Sequence, residues 1–317
     1  MLLQALEVLV VKDKRLAASA VLTAVAASWG LGFVATAKVL EWLSPVIFLG
    51  LRFLLGFGIM LAAFCRQVVG ATQEEVKAGA ITGSVLAAGF IMQTYCMKYC
   101  SVSTSAFLTA LYVVLVPILS SLVLGKTVEL LHVLAAVLSF GGVAVASLGN
   151  IRGSVLATLW QELWPGEVLG MGCALGFALH ILAVGRWAPG IDVARFATIQ
   201  VGAASAICLA LGLLIDPWPT RVEPVGVASL VYLGAVNTAA AFFAQNWAQR
   251  HTTATQAAVV MSSEPIWAAV FAFALLGQSL RPNEALGDLM ILAGMVLAQD
   301  ATGDLLRRRR NHTLNLK

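Results

Sequence analysis

Ten times between residues 16 and 303 this chain runs on apolar side chains for about twenty residues before a polar break, the length that crosses ~30 Å of hydrocarbon as a helix. The spans read as 16–38, 46–64, 77–97, 102–124, 129–149, 166–187, 193–215, 224–247, 254–277 and 284–303. Only 11% of the residues are charged and 60% are hydrophobic, where a soluble domain carries ~25% charge. The fold class that follows is an all-α polytopic membrane protein with ten transmembrane helices.

An even number of spans leaves both termini on one side. That side receives fourteen of the twenty Lys and Arg residues, the opposite side five, and Arg52 lies within a span. Positive residues collect in cytoplasmic loops, so both termini are expected in the cytoplasm. The charges serve topology, and the net +4 does not point to nucleic acid. Residues 1–15 then form a cytoplasmic segment and 305–317 a basic cytoplasmic tail, whose Arg307–Arg310 cluster suits anionic lipid. The apolar start MLLQALEVLVV precedes its basic cluster, the reverse of a signal peptide, and reads as an interfacial helix or a disordered lead. Asp216-Pro-Trp-Pro-Thr reads as an outer turn, with Trp218 in an interfacial belt beside Trp42, Trp160 and Trp164.

Shifted by 152 residues, the chain meets itself. Phe90 and Gln93 fall on Phe242 and Gln245, Ala106 on Ala258, Gly125 on Gly277 and Gly142 on Gly294. At a slightly smaller offset Gly30 meets Gly176, and Phe48 with Arg52 meets Phe196 with Gln200. The unit is five helices, 16–149 and again 166–304, joined by an external linker at 150–165. Five is odd, so the copies are expected in opposite orientation, a design of secondary transporters with the substrate site at the repeat interface. Gly79-x-x-x-Gly83, Gly172-x-x-x-Gly176 and Ala26-x-x-x-Gly30 suit close helix packing.

Within the ninth span Glu264 precedes Pro265. A helix entering near Ala254 puts this carboxylate ~15 Å deep, where an ionisable group costs at least ~2.5–3.5 kcal/mol unless it faces protein or water. It is a candidate for a substrate ammonium group or for a coupling proton; its structural alternative is a neutral acid near the carbonyls that Pro265 leaves unbonded. Tyr112 is its mate under the 152 shift, with Thr109 one turn away. Asn237 and Gln245 share one face of the eighth span and Gln93 takes the matching place on the third; buried amides need partners, in a cavity or between helices. Trp29 and Trp267, with Ser263 beside Glu264, complete the expected substrate-binding set. His180, inside the sixth span, is a second proton-coupling candidate or a packed neutral ring. Arg52, about two turns from the outer end of its span, is expected to snorkel or pair with a carboxylate. Phosphate substrates would require Lys or Arg at the midplane, and none is expected there.

Ser28-Trp29-Gly30, Leu51-Arg52-Phe53, the run Ser105-Ala-Phe-Leu-Thr-Ala-Leu-Tyr-Val-Val-Leu-Val-Pro117, and Ser263-Glu264-Pro265 followed by Gly277 resemble EamA-type members of the drug/metabolite transporter superfamily. The resemblance covers roughly residues 18–303. It implies a ten-helix carrier of a bacterial inner membrane, with inverted five-helix repeats, exporting small metabolites such as amino acids, or toxic compounds. The family often has an acid after the glycines that end the fourth and ninth helices, where this chain has Lys126 and Gln278.

No cofactor, metal or enzymatic chemistry is expected. The four histidines are far apart, the five cysteines form no disulfide-like framework, and Gly125-Lys126-Thr127 lacks the first glycine of a phosphate-binding loop. The function expected is secondary active export of small organic solutes, apolar or aromatic amino acids or drug-like compounds, by alternating access, from a monomer or weak homo-oligomer in contact with lipid. The alternatives are a facilitative uniporter or exchanger and, more remotely, an intramembrane lipid-modifying enzyme.

Overall fold

Apolar runs in lipid must satisfy their own backbone, and here they do so as helices. A computed structural model describes residues 2–123, 130–148, 165–283 and 285–297, and all regular structure among them is helical. Helix α1 is Leu2–Leu40, α2 Pro45–Val69 and α3 Gln73–Cys96; α4 (Val102–Ala110) and α5 (Tyr112–Val123) share one span, and α6 is Leu130–Leu148. In the second half α7 is Gly166–Trp187 and α8 Val193–Ile215. Helix α9 (Pro224–Gly234) continues through a π-helical turn, Ala235–Ala240, into α10 (Ala241–Arg250). Helices α11 (Ala254–Met261) and α12 (Glu264–Leu276) share the next span, and α13 is Ala285–Leu297.

Among the described residues eight stretches are long and apolar enough to cross a membrane, so the chain is a multi-pass membrane protein. Where the fifth and tenth spans were expected, the described residues hold α6 and α13, whose apolar stretches, Val133–Gly142 and Ala285–Leu297, are shorter and not among the eight. The lead is continuous with α1, which begins at Leu2. Residues 149–164 and 298–317, holding most of the expected linker and the whole basic tail, lie outside the described residues, as do Gly125, Lys126 and Thr127.

The two halves interleave. Helix α2 packs chiefly on α8, α3 on α8 and α7, α1 on α12 and the α9–α10 helix, and α4 on α12 and α7. Small residues permit this closeness. A Cβ on Gly79 would lie 2.6 Å from Ile199 Cγ2, and one on Gly83 would collide with the Gln200 carbonyl, so α3 and α8 meet backbone to backbone. Likewise a Cβ on Gly30 would stand 2.8 Å from the Ala268 nitrogen of α12. Two large apolar clusters result. One joins α4, α5, α7, α11 and α13 to the middle of α1; the other joins α2, α3, α8 and α10 to the end of α1.

Polar groups hold the helix ends at both faces. Asp216, just past α8, accepts hydrogen bonds from the Val46 and Ile47 nitrogens (2.7 and 2.9 Å), supplying a charged cap to the first turn of α2. At the other face Thr72 and Glu75 form a capping box on α3, and Glu75 also meets Arg195 Nη1 of α8 at 3.3 Å. Trp218 is exposed, while Trp42 packs against Gly226. Gly277 ends α12 at φ 63°, a left-handed cap where the Gln278 nitrogen donates back to the Ala272 carbonyl.

Candidate functional site

The regular helix fails at three places, and all three face one cavity. Pro265 has no N–H and its ring clashes with the carbonyl of Met261, four residues back, so the ninth span breaks at Ser262–Ser263 and restarts at Glu264. The fourth span breaks at Leu111, one and a half turns ahead of Pro117, and restarts at Tyr112. Glu264 and Tyr112 are 152 positions apart, so the two halves break at equivalent residues. The eighth span carries the π turn at Ala235–Ala240, a widened turn of the kind that gathers at functional sites.

Asn237 is the hub of that turn. Its Nδ2 donates to the Ser28 carbonyl (2.7 Å), its Oδ1 accepts from Arg52 Nη2 (2.9 Å), and its backbone carbonyl accepts from Trp29 Nε1 (3.0 Å). Thr238 Oγ1 accepts from Arg52 Nε at 2.9 Å. One bulge therefore ties α1 and α2 to the second half. A Cβ on Gly32 would sit 2.7 Å from the Asn237 amide, so α1 comes this close only because it has glycine there.

The cavity, with the open space at its mouth, takes up about 530 Å³. Aromatic rings form much of its wall: Trp29 and Phe33 from α1, Phe90 from α3, Phe177 from α7, and Phe242 from α10. Phe90 lies edge-on to Phe177 (centroids 5.0 Å) and Phe242 (6.1 Å), and the Arg52 guanidinium sits 4.5 Å over its ring. The lining reaches Thr36 and Met97 at the ends of α1 and α3. Toward the other face it stops at Ile181 and Gln245, each more than a turn before the end of its helix, and at Met261, about two turns after α11 begins. Among the described residues the lining therefore lies nearer the face that holds Leu40, Pro45 and Met97.

The internal repeat is visible in the polar groups of the wall. Gln93 Nε2 donates to Thr109 Oγ1 at 3.1 Å, and 152 residues on Gln245 Nε2 points at Met261 Sδ at 3.8 Å. The Tyr112 hydroxyl and Gln245 Oε1 are buried without a hydrogen-bond partner, and the Glu264 carboxylate receives no hydrogen bond from the described residues. Three polar groups in one wall are therefore left to whatever enters.

Trp29, Gln93, Thr109, Tyr112, His180, Asn237, Gln245 and Glu264 all line this cavity. Two expected residues do not. The Ser263 hydroxyl donates to the Val260 carbonyl within its own turn (3.1 Å), and Trp267 is 38% exposed and stacks on Phe271 on the outer side of α12. His180 has a partner that sequence did not identify: its Nε2 lies 2.9 Å from Gln200 Nε2, and Gln200 Oε1 accepts from Asn246.

Arg52 requires a correction. It does not snorkel; it is 2% exposed, with its guanidinium in the cavity wall. Helix α2 packs between α8 and the bulged helix and turns this side chain inward. The signal was present in a strongly polar residue seven positions into an otherwise apolar helix. Among the described residues no cluster of three or more metal-ligating side chains occurs.

The sequence pattern of the EamA-like transporter family matches this chain twice, over residues 16–148 and 164–298, one match per half. An uncharacterized transporter of Archaeoglobus fulgidus is 26% identical over 284 residues, covering 90% of this chain and 86% of that protein. The uncharacterized transporter YoaV of Bacillus subtilis is 20% identical over 273 residues, covering 85% and 92%. A solved crystal structure shares the fold at TM-score 0.65 and 18% identity, covering 89% of this chain and 97% of its own.

Proposed function

We infer, from the premise that this chain belongs to the EamA-like transporter family, that it is a secondary active carrier exporting small amphiphilic metabolites by alternating access. The two family repeats are inverted five-helix units in this reading, and ten helices cross a bacterial inner membrane with both termini in the cytoplasm. Apolar or aromatic amino acids and drug-like compounds of similar size are the solutes that an aromatic, sparsely polar cavity favours.

One observation carries the reading. A deep cavity, walled by both repeats and holding Glu264 beside unpartnered polar atoms, has a lining that among the described residues runs toward one face of the helix bundle. A carrier must expose its site to one side at a time, and a lining skewed to one face fits one half of that cycle. The contacts at Gly30, Gly79 and Gly83 are smooth enough for the halves to rock without unpacking large side chains. Glu264, with His180 as a second candidate, is the group proposed to exchange a proton with solvent or hold a substrate cation as the cavity switches sides.

Solute counterflow in proteoliposomes tests the reading. Vesicles holding purified protein and an unlabelled amino acid should transiently accumulate the labelled form, and a pH gradient should drive net movement uphill. Saturable counterflow that no ion gradient drives uphill identifies a uniporter or exchanger. Failure of amino acids, aromatic amines and drug-like cations alike to show counterflow overturns the carrier reading.

A further inference from the structure

We propose that the cavity binds its solute as a zwitterion, the Arg52 guanidinium holding a carboxylate and the Glu264 carboxylate holding an ammonium. This rests on the cavity being the transport site and adds the chemical form of the solute, with its orientation.

The repeat makes the two charges conspicuous. One pair of polar wall groups obeys the internal shift, Gln93 with Gln245, and their partners Thr109 and Met261 correspond as well. Arg52 and Glu264 have no charged counterpart. The counterpart of Arg52 is the neutral Gln200, and the counterpart of Glu264 is the neutral Tyr112. A cavity with near two-fold walls thus has one positive and one negative pole, contributed by α2 and by the start of α12.

Each pole is built to receive something. Arg52 is buried, and its Nε and Nη2 are fixed by Thr238 and Asn237, both uncharged. Its Nη1 has no hydrogen-bond partner among the described residues, and Phe90 supports the flat face. A buried guanidinium with only neutral partners is a costly arrangement that a carboxylate relieves, with the planar geometry that arginine recognises. Glu264 stands in the same wall without a hydrogen bond from the described residues, and the two side chains form no ion pair with each other. They therefore do not neutralise one another by contact. Phe242 and Trp29 line the same cavity, with ring centroids 5.5 Å apart, and suit an apolar side chain.

Three ligands that share a phenyl ring separate the poles: phenylalanine, phenethylamine, which lacks the carboxylate, and 3-phenylpropionate, which lacks the ammonium. Binding to the full-length protein in nanodiscs is read from tryptophan fluorescence, and transport from counterflow. Wild type should prefer phenylalanine to either analogue by about ten-fold or more, the worth of one charge-assisted hydrogen-bonded pair. Arg52→Gln should abolish the preference over the amine while keeping that over the acid; Glu264→Gln should do the opposite. Arg52→Lys, which keeps the charge but loses the two-pronged fork, should fall between. If Arg52→Gln does not fold, the wild-type ratios and Arg52→Lys still decide. Equal wild-type binding of the three, or a uniform loss for all three in Arg52→Gln, overturns the proposal and leaves Arg52 as a strut for Asn237. If none of the three binds while another solute shows counterflow, the zwitterion site is wrong and the carrier reading stands.

Discussion

Tyr112 and Glu264, 152 residues apart, each begin the second segment of a broken membrane helix, and both side chains line the same cavity. The equivalence extends outward through Gln93 and Gln245 to their partners Thr109 and Met261. The two halves of the chain therefore contribute the same structural device to one site, with a hydroxyl on one side and a carboxylate on the other. Several expected outcomes follow from that difference.

Tyr112→Phe removes a hydroxyl that has no protein partner. Stability should change by less than ~0.5 kcal/mol, because no internal hydrogen bond is lost. The half-saturation constant in counterflow should rise about three- to ten-fold if the hydroxyl meets the solute, the worth of one neutral hydrogen bond. A melting curve beside the transport assay separates the two effects, and unchanged transport would assign Tyr112 to packing.

Glu264→Gln keeps the shape of the side chain and removes its charge. Uphill movement driven by a pH gradient should disappear, while exchange of labelled for unlabelled solute persists. The comparison is made in proteoliposomes with and without the gradient. A variant that still concentrates solute in response to the gradient would move the coupling role to another group, with His180 the next to test.

Asn237→Ala should be the most destabilising of the cavity substitutions. It takes away the acceptor of Arg52 Nη2 and the donor to the Ser28 carbonyl, leaving buried groups unsatisfied, which costs roughly 2–4 kcal/mol. Thr238→Val, losing only the Arg52 Nε contact, should cost about half as much. Reversible denaturation in mild detergent measures both, and equal small effects would mean that water replaces the lost partners.

Gly83→Ala should separate α3 from α8, because the added methyl collides with the Gln200 carbonyl, and overpacking of this kind costs ~1–3 kcal/mol. Gly58→Ala is the matched control: its Cβ meets nothing within 4 Å, and helix propensity should make it neutral or stabilising by up to ~1 kcal/mol. Transport and melting temperature of the pair distinguish a packing contact from a general intolerance of the helices to substitution.

The membrane class and the two-fold repeat were legible in the sequence because both rest on local requirements. Every backbone group in lipid must be bonded within its own helix, so run length and polarity mark the spans without reference to neighbours. A break at Glu264 was legible for the same reason, since proline removes its own N–H wherever it stands. Orientation about each helix axis was not local. Arg52 reads as a residue that snorkels or pairs with a carboxylate until α8 and the bulged Asn237 turn close on it. Trp267 was expected in the substrate-binding set with Ser263, yet the Trp267 nitrogen bonds the Ser263 carbonyl one turn back and neither residue reaches the cavity lining. His180 and Gln200 meet only because α7 and α8 pack side by side. Sequence by itself determined that the chain is a multi-pass helical membrane protein and where it repeats, because backbone hydrogen bonding is settled within a segment. Tertiary structure alone decided which polar side chains share the cavity, because helix rotation is set by packing between segments distant in the chain.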